Sequence, residues 1–241
     1  MNAVQPASGA KMMFLIRRRP GTSREELLVH WFKNHMPDVI DLQQQMRDKN
    51  RPHAWRYIAT LFDADAGGQH PWDGVAQLWY DEPWPRPTEA IGVEPVDTFQ
   101  QKAEPYMSWA TSEYIYLDGE LPVEPLTLNE AFPTTRSGFF KTTLLAALKD
   151  QQEHEAFTDY WLNDHAPRAA QRQREAGALR YVVSISREPD EPYAGMAELY
   201  FENAEAARRY LSAREPDRME DWMDPGRTLV LTSQTEMIGI P

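Results

Sequence analysis

Residues 12–16 are Met-Met-Phe-Leu-Ile, an unbroken apolar run inside the stretch 11–18. A run this short, apolar at both parities, predicts a strand buried on both faces rather than the alternation of a half-exposed one. Pro20-Gly21 turns the chain, and Thr22 with Glu25, or Ser23 with Glu26, offers a capping box, so a helix begins there. Leu27, Leu28, Trp31 and His35 fall on one side of that helix. Pro37 kinks or restarts it, and Val39, Ile40, Leu42 and Met46 carry the stripe onward. A second strand is expected over 55–62 and a third over 74–80 after a Gly/Asp/Pro loop. A proline-rich stretch over 82–95 leads to a short helix near 96–103, and a last strand covers 109–117. The order is β-α-β-β-α-β.

The same pattern then returns. Trp31-x3-His35-x-Pro37 recurs as Trp161-x3-His165-x-Pro167, 130 residues later. Arg56-Tyr57 recurs as Arg180-Tyr181, an offset of 124, and the segment from Gly74 to Trp79 as that from Gly195 to Tyr200, an offset of 121. Glu113-Tyr114-Ile115 matches Glu236-Met237-Ile238, an offset of 123. Matches that keep their order while the offset drifts by loop lengths indicate duplication. The second copy predicts strands over 138–146, 179–186, 194–201 and 228–238. Its first helix is capped by Asp150 with Glu153 and runs to 175, and its second covers 204–213. The resulting organisation is a disordered leader over 1–10, one unit over 11–118, a linker over 119–137 with Pro122, Pro125 and Pro133, and a second unit over 138–241.

A βαββαβ unit lays both helices on one face of an antiparallel sheet and leaves the other bare. Strands apolar on both faces then call for a partner, which the second copy supplies. The expected fold class is α+β: two ferredoxin-like βαββαβ units pairing within one chain into an α/β barrel, with an apolar interior as the ligand chamber.

Composition narrows the partners. With 37 acidic against 25 basic residues the formal charge is −12, a surface that repels phosphate backbones and anionic lipid, so neither nucleic acid nor membrane is expected. No cysteine is present, which removes thiol nucleophiles, thiolate metal sites and disulfides. The first residues lack a signal-peptide core, making cytoplasmic the default location.

The stretch from Lys11 through Arg17-Arg18-Arg19-Pro20-Gly21, then Glu25-Glu26-Leu27, then Trp31-Phe32-Lys33-Asn34-His35-Met36-Pro37, resembles the EthD-like family of the dimeric α/β-barrel superfamily. The second copy keeps Phe157-x3-Trp161-x3-His165-Ala166-Pro167 but lacks the Arg-Pro-Gly turn, so the resemblance covers 11–118 well and 138–240 more loosely. It implies paired ferredoxin-like units acting on small aromatic metabolites: degradation proteins, cofactor-free monooxygenases, isomerases, dehydratases or decarboxylases.

His35 and His165 are the candidate catalytic groups. Each is four residues beyond a Trp and two before a Pro, and imidazole exchanges protons near neutral pH. The same ring could instead cap an interrupted helix through a backbone carbonyl. Asp38, three residues after His35, is a candidate orienting carboxylate, whereas His165 is followed by Arg168, so His35 is favoured. Tyr57 could donate to a developing oxyanion, or pack in the core with its hydroxyl satisfied, as could Tyr181. Trp31, Trp161 and Trp79 are candidate pocket walls, with either Trp79 or Tyr80 facing inward because neighbours on a strand point oppositely. Arg17, in a run of three arginines, is a candidate anchor for an anionic group or carbonyl, against the ordinary reading of a solvated edge. No histidine pair has zinc-ligand spacing, and no glycine pattern marks a nucleotide or flavin loop, so no metal and no cofactor are expected.

The function these readings favour is a cofactor-independent lyase, dehydratase or isomerase acting on a small aromatic or apolar carbonyl compound. A cofactor-free monooxygenase and a non-catalytic binding protein of a degradation pathway are the alternatives. The expected partner is a small apolar or aromatic molecule, and the doubled chain leaves room for a homodimer.

Overall fold

A computed structural model describes residues 4–64, 71–121, 137–213 and 217–241. Most of the expected proline linker lies outside the described residues. The fold is α+β, and the chain divides into two compact units that do not coincide with its sequential halves. The first unit holds residues 9–110 together with 235–241, and the second holds 4–8, 111–121 and 137–234.

In the first unit, strands β1 (Ala10–Ile16), β2 (Arg56–Leu61), β3 (Gly74–Tyr80) and the final strand β9 (Thr235–Ile240) form an antiparallel sheet in the order β1-β3-β2-β9. Every residue of β1 and β3 is buried, as the two-sided apolar pattern requires. Met12, Phe14 and Ile16 enter the core shared with the helices, and Lys11, Met13 and Leu15 form the opposite, equally buried row.

Helix α1 (Arg24–His30) starts at Ser23, whose hydroxyl accepts from the Glu26 N–H while the Glu26 carboxylate accepts from the Ser23 N–H. That settles which of the two candidate boxes forms. The helix does not restart at Pro37. It widens into a π-helical turn over Trp31–His35 and continues as α2 (Met36–Asp48), with the Met36 N–H reaching back to the Trp31 carbonyl. A proline has no N–H to give, and one extra residue in a turn absorbs that break. The stretch near 96–103 forms hydrogen-bonded turns rather than the expected helix.

The second unit repeats the plan with β5 (Phe140–Ala146), α3 (His154–Tyr160), a π-helical turn over Trp161–His165, α4 (Ala166–Glu175), β6 (Ala178–Ser186), β7 (Gly195–Phe201), α5 (Ala204–Ser212), α6 (Met219–Trp222) and β8 (Leu229–Ser233). Its strand order is β8-β5-β7-β6-β4, where β4 is Ser108–Asp118. The fourth strand of each sequence copy is therefore exchanged: β4 pairs with β6 from Thr111 onward, and β9 pairs with β2. The single strand expected over 228–238 divides at Gln234, its first part bonding to β5 and its second to β2. The expected leader is tethered as well, through an Ala7 N–H that donates to the Glu113 carbonyl at 2.7 Å.

Among the described residues no helix is long and apolar enough to cross a membrane.

Candidate functional site

The site is built on the first π-helical turn. Trp31 packs against Phe32 and Phe99, and its indole N–H points at the Tyr57 hydroxyl, 3.4 Å away. Gly74 makes room for this ring, since a methyl group there would lie 2.9 Å from the Trp31 ring and 2.5 Å from the Thr60 carbonyl. The loop over 97–99 docks on the same turn. Thr98 Oγ1 contacts His30 Nδ1 and accepts from Asn34, each at 2.9 Å. Phe99 lies against the His35 ring with centroids 4.5 Å apart. Asp97 places Oδ2 2.6 Å from His35 Nδ1, and its other oxygen accepts from the Gln100 N–H at 2.7 Å.

Asp97 thus holds one nitrogen of His35 and fixes the ring's orientation. The pair is largely buried, with side-chain exposures of 16% and 21%. His35 lines a cavity of about 270 Å³ between the sheet and the helical layer of the first unit. Phe14, Trp31, Tyr80, Trp84 and Tyr106 give that cavity aromatic walls. Leu42 and Trp84, at 49% and 39% exposed, mark its outer rim. Trp84 and Ile91 come from the proline-rich stretch, which covers the cavity like a flap of fixed backbone.

Two hydroxyls matter most. Burial pushes the Tyr57 phenol up to about 12, so it is a neutral donor at any physiological pH. Burial also pushes the Tyr80 phenol up, helped by the nearby Tyr57. Tyr80 is 3% exposed, and its hydroxyl has no hydrogen-bond partner among the described residues. An orphaned buried hydroxyl in a ligand-sized cavity is a group awaiting an acceptor.

The sequence reading placed His35, Trp31 and Tyr57 in one site, and the structure brings these together. Two expected members fall elsewhere. Trp79 lies on the opposite sheet face, under Lys11 and Arg56, because strand alternation gives the cavity to Tyr80. Arg17 pairs with Glu104 at 3.6 Å beside a separate cleft of about 240 Å³, where Arg18 and Arg24 share Asp73. Asp38 is not the orienting carboxylate; Asp97 is.

His165, Trp161 and Tyr181 come together in the second unit around a smaller cavity of about 60 Å³. His165 Nδ1 lies 3.0 Å from Asp217 Oδ2. Burial alone would raise the Asp217 carboxyl, but the Met219 N–H and the His165 ring outweigh it and hold its pKa below the usual value. Tyr160 donates to Asp217 at 3.0 Å, and Arg168 shares the carboxylate at 3.3 Å. Burial strongly raises the Tyr181 phenol.

Asp97 and Asp217 escaped the sequence reading because neither sits on a regular element with its histidine. The duplication held the clue, since 217 against 97 is an offset of 120, in line with the 121 of the preceding strand. Among the described residues no three His, Asp or Glu side chains cluster as metal ligands.

The fold is shared with solved structures of low sequence identity. An anthrone oxidase-like protein superposes with a TM-score of 0.55 at 10% identity, over 97% of this chain and 94% of that one. A putative monooxygenase from Lactobacillus acidophilus gives 0.42 at 9% identity over 96% and 97% of the chains. A chlorite dismutase variant from Candidatus Nitrospira defluvii gives 0.48 at 11% over 95% and 92%. Residues 149–225, within the second copy, match the EthD domain. The match falls on the copy that the Arg-Pro-Gly turn had made seem the looser one. No curated protein matches the chain in sequence.

Proposed function

We propose that the first unit is the active centre of an enzyme that removes a proton from a small aromatic carbonyl compound. The observation that carries this reading is His35, held by Asp97 at 2.6 Å, on the wall of an aromatic cavity of about 270 Å³. That size is at the small end of ligand pockets, about 300–1,000 Å³, and suits a compound of few rings. His35 Nε2 would take a proton from carbon adjacent to the carbonyl or conjugated with it. The electrons left behind pass to the carbonyl oxygen, where the Tyr80 hydroxyl can donate a hydrogen bond. Returning the proton at another carbon gives an isomerase; expelling a hydroxyl with that proton, as water, gives a dehydratase.

A second reading uses the same first step. The resulting carbanion would bond to molecular oxygen and take up a proton, giving a hydroperoxide at that carbon. Its O–O bond then breaks as the carbon loses its remaining hydrogen, leaving one oxygen as a carbonyl and releasing the other as water, which would make the protein a cofactor-free monooxygenase. The fold-level likeness to an anthrone oxidase-like protein favours testing it.

Both readings are tested with anthrone and a panel of smaller aromatic ketones. Under anaerobic conditions in D₂O, the protein should accelerate deuterium entry at the acidic carbon, and His35→Ala should lose about 10²–10⁴-fold of that rate. Oxygen uptake in air selects the oxygenase. Exchange that is independent of His35 would refute the assignment.

A further inference from the structure

The second cavity is a descendant of the first with different chemistry. Sheet register makes Met12 and Thr142 equivalent, since they face the matched Leu78 and Leu199. The offset of 130 on the helices makes Leu42 equivalent to Arg172 and Gln43 to Gln173. Two apolar side chains of the first copy are thus a hydroxyl and a guanidinium in the second. The cavity shrinks from about 270 to about 60 Å³, room for only a few atoms.

Its lining holds an unusual concentration of unmet hydrogen-bonding capacity. Thr142 Oγ1, Trp161 Nε1, Arg172 Nε and Gln173 Oε1 all line it, are buried, and have no partner among the described residues. Trp161 and Gln173 are completely inaccessible, and Thr142 is 2% exposed. The Trp161 N–H is directed toward the Tyr181 hydroxyl but lies outside hydrogen-bond geometry, unlike its counterpart Trp31. The amide nitrogen of Gln173 reaches Tyr210 at 3.4 Å, leaving its oxygen unsatisfied. Among the described residues no carboxylate pairs with Arg172. Among the described residues no acidic side chain lines the cavity, and Asp217, bound to the lining residue His165, is also engaged by Tyr160 and Arg168.

Leaving buried polar atoms unpaired is costly, so this cavity calls for a polar occupant. Two obligate donors, Trp161 and Arg172, and a hydroxyl that can donate stand against one obligate acceptor, and Arg172 has no counter-ion among the described residues; together these set its sign. We infer that the second cavity binds a small carboxylate of roughly acetate size, which accepts from Arg172, Thr142 and Trp161. The doubled chain then has two unlike sites: one for an aromatic molecule, one for a compact anion.

The test is calorimetric titration of the full chain with sodium acetate, with acetamide as the neutral molecule of the same shape. Acetate should bind saturably, with a dissociation constant on the order of a millimolar. Acetamide should bind at least about tenfold more weakly. Arg172→Leu, which installs the first copy's residue, should abolish the preference for acetate, and Thr142→Val should weaken it. His35→Ala should leave acetate binding unchanged, which separates this site from the proposed active centre. Thermal melts of each variant establish that it is folded. Equal binding of acetate and acetamide, no saturable binding, or unchanged acetate binding by folded Arg172→Leu would mean that water alone fills the cavity, and would overturn the inference.

Discussion

His35 Nδ1 stands 2.6 Å from Asp97 Oδ2, a contact that joins a π-helical turn to a loop 62 residues further along the chain. If this pair transfers protons, Asp97→Asn should reduce proton-exchange activity at least about tenfold, because the ring loses the carboxylate that fixes its tautomer. Ligand affinity should change far less, since Asp97 is not part of the cavity wall. Separate kcat and KM values for Asp97→Asn and His35→Ala check this. A loss confined to KM would make the pair a binding element.

Tyr80→Phe should behave differently. Its hydroxyl is buried with no partner among the described residues, so removing it should leave the free protein as stable as before, or more stable by about 1 kcal/mol. Affinity for a carbonyl ligand should fall about fivefold to tenfold, the worth of one hydrogen bond. Chemical denaturation alongside ligand titration separates the two effects.

Gly74→Ala should be strongly destabilising, by about 1–3 kcal/mol, because the new methyl meets backbone at 2.5 Å as well as the Trp31 ring at 2.9 Å. Gly195→Ala should match it, since Ser184 and Trp161 confront that position at 2.6 and 2.9 Å. Shifts in tryptophan fluorescence would report displacement of the rings. Normal stability in both variants would show that the tryptophans are not held as described.

Asp217 predicts an acid limit. Its folded carboxyl titrates below the ordinary 3.8, so its stabilising contribution is complete above the unfolded value and disappears as pH falls through the folded one. The stability difference between the wild type and Asp217→Asn should therefore narrow as the pH falls below about 4. Urea titrations at stepped pH measure it. A difference that grows on acidification would reverse the assigned sign.

Much of this was legible before any fold was known. The Trp-x3-His-x-Pro repeat located both histidines and tryptophans, and Arg-Tyr marked Tyr57 and Tyr181. Reading Trp79 into the pocket failed on parity: β3 is buried on both faces, so its hydrophobicity cannot say which row meets the helices. Arg17 lies outside the cavity that holds His35, beside a separate cleft, a placement that a run of arginines does not encode. The apolar chamber was expected between sheets, yet the cavity that holds His35 lies between one sheet and its own helices.

The sequence by itself determined the repeated motifs, most of the strands, the first long helix of each copy, and the Trp and His that each π-helical turn carries, because spacing and capping act over a few residues. Tertiary structure alone decided that β4 joins β6 and β9 joins β2, since fourth strands of similar pattern can complete either sheet and only long-range pairing chooses. It also decided that Asp97 and Asp217 meet the histidines. A carboxylate on a loop carries no periodicity, and its partner is defined only when the chain brings the two together.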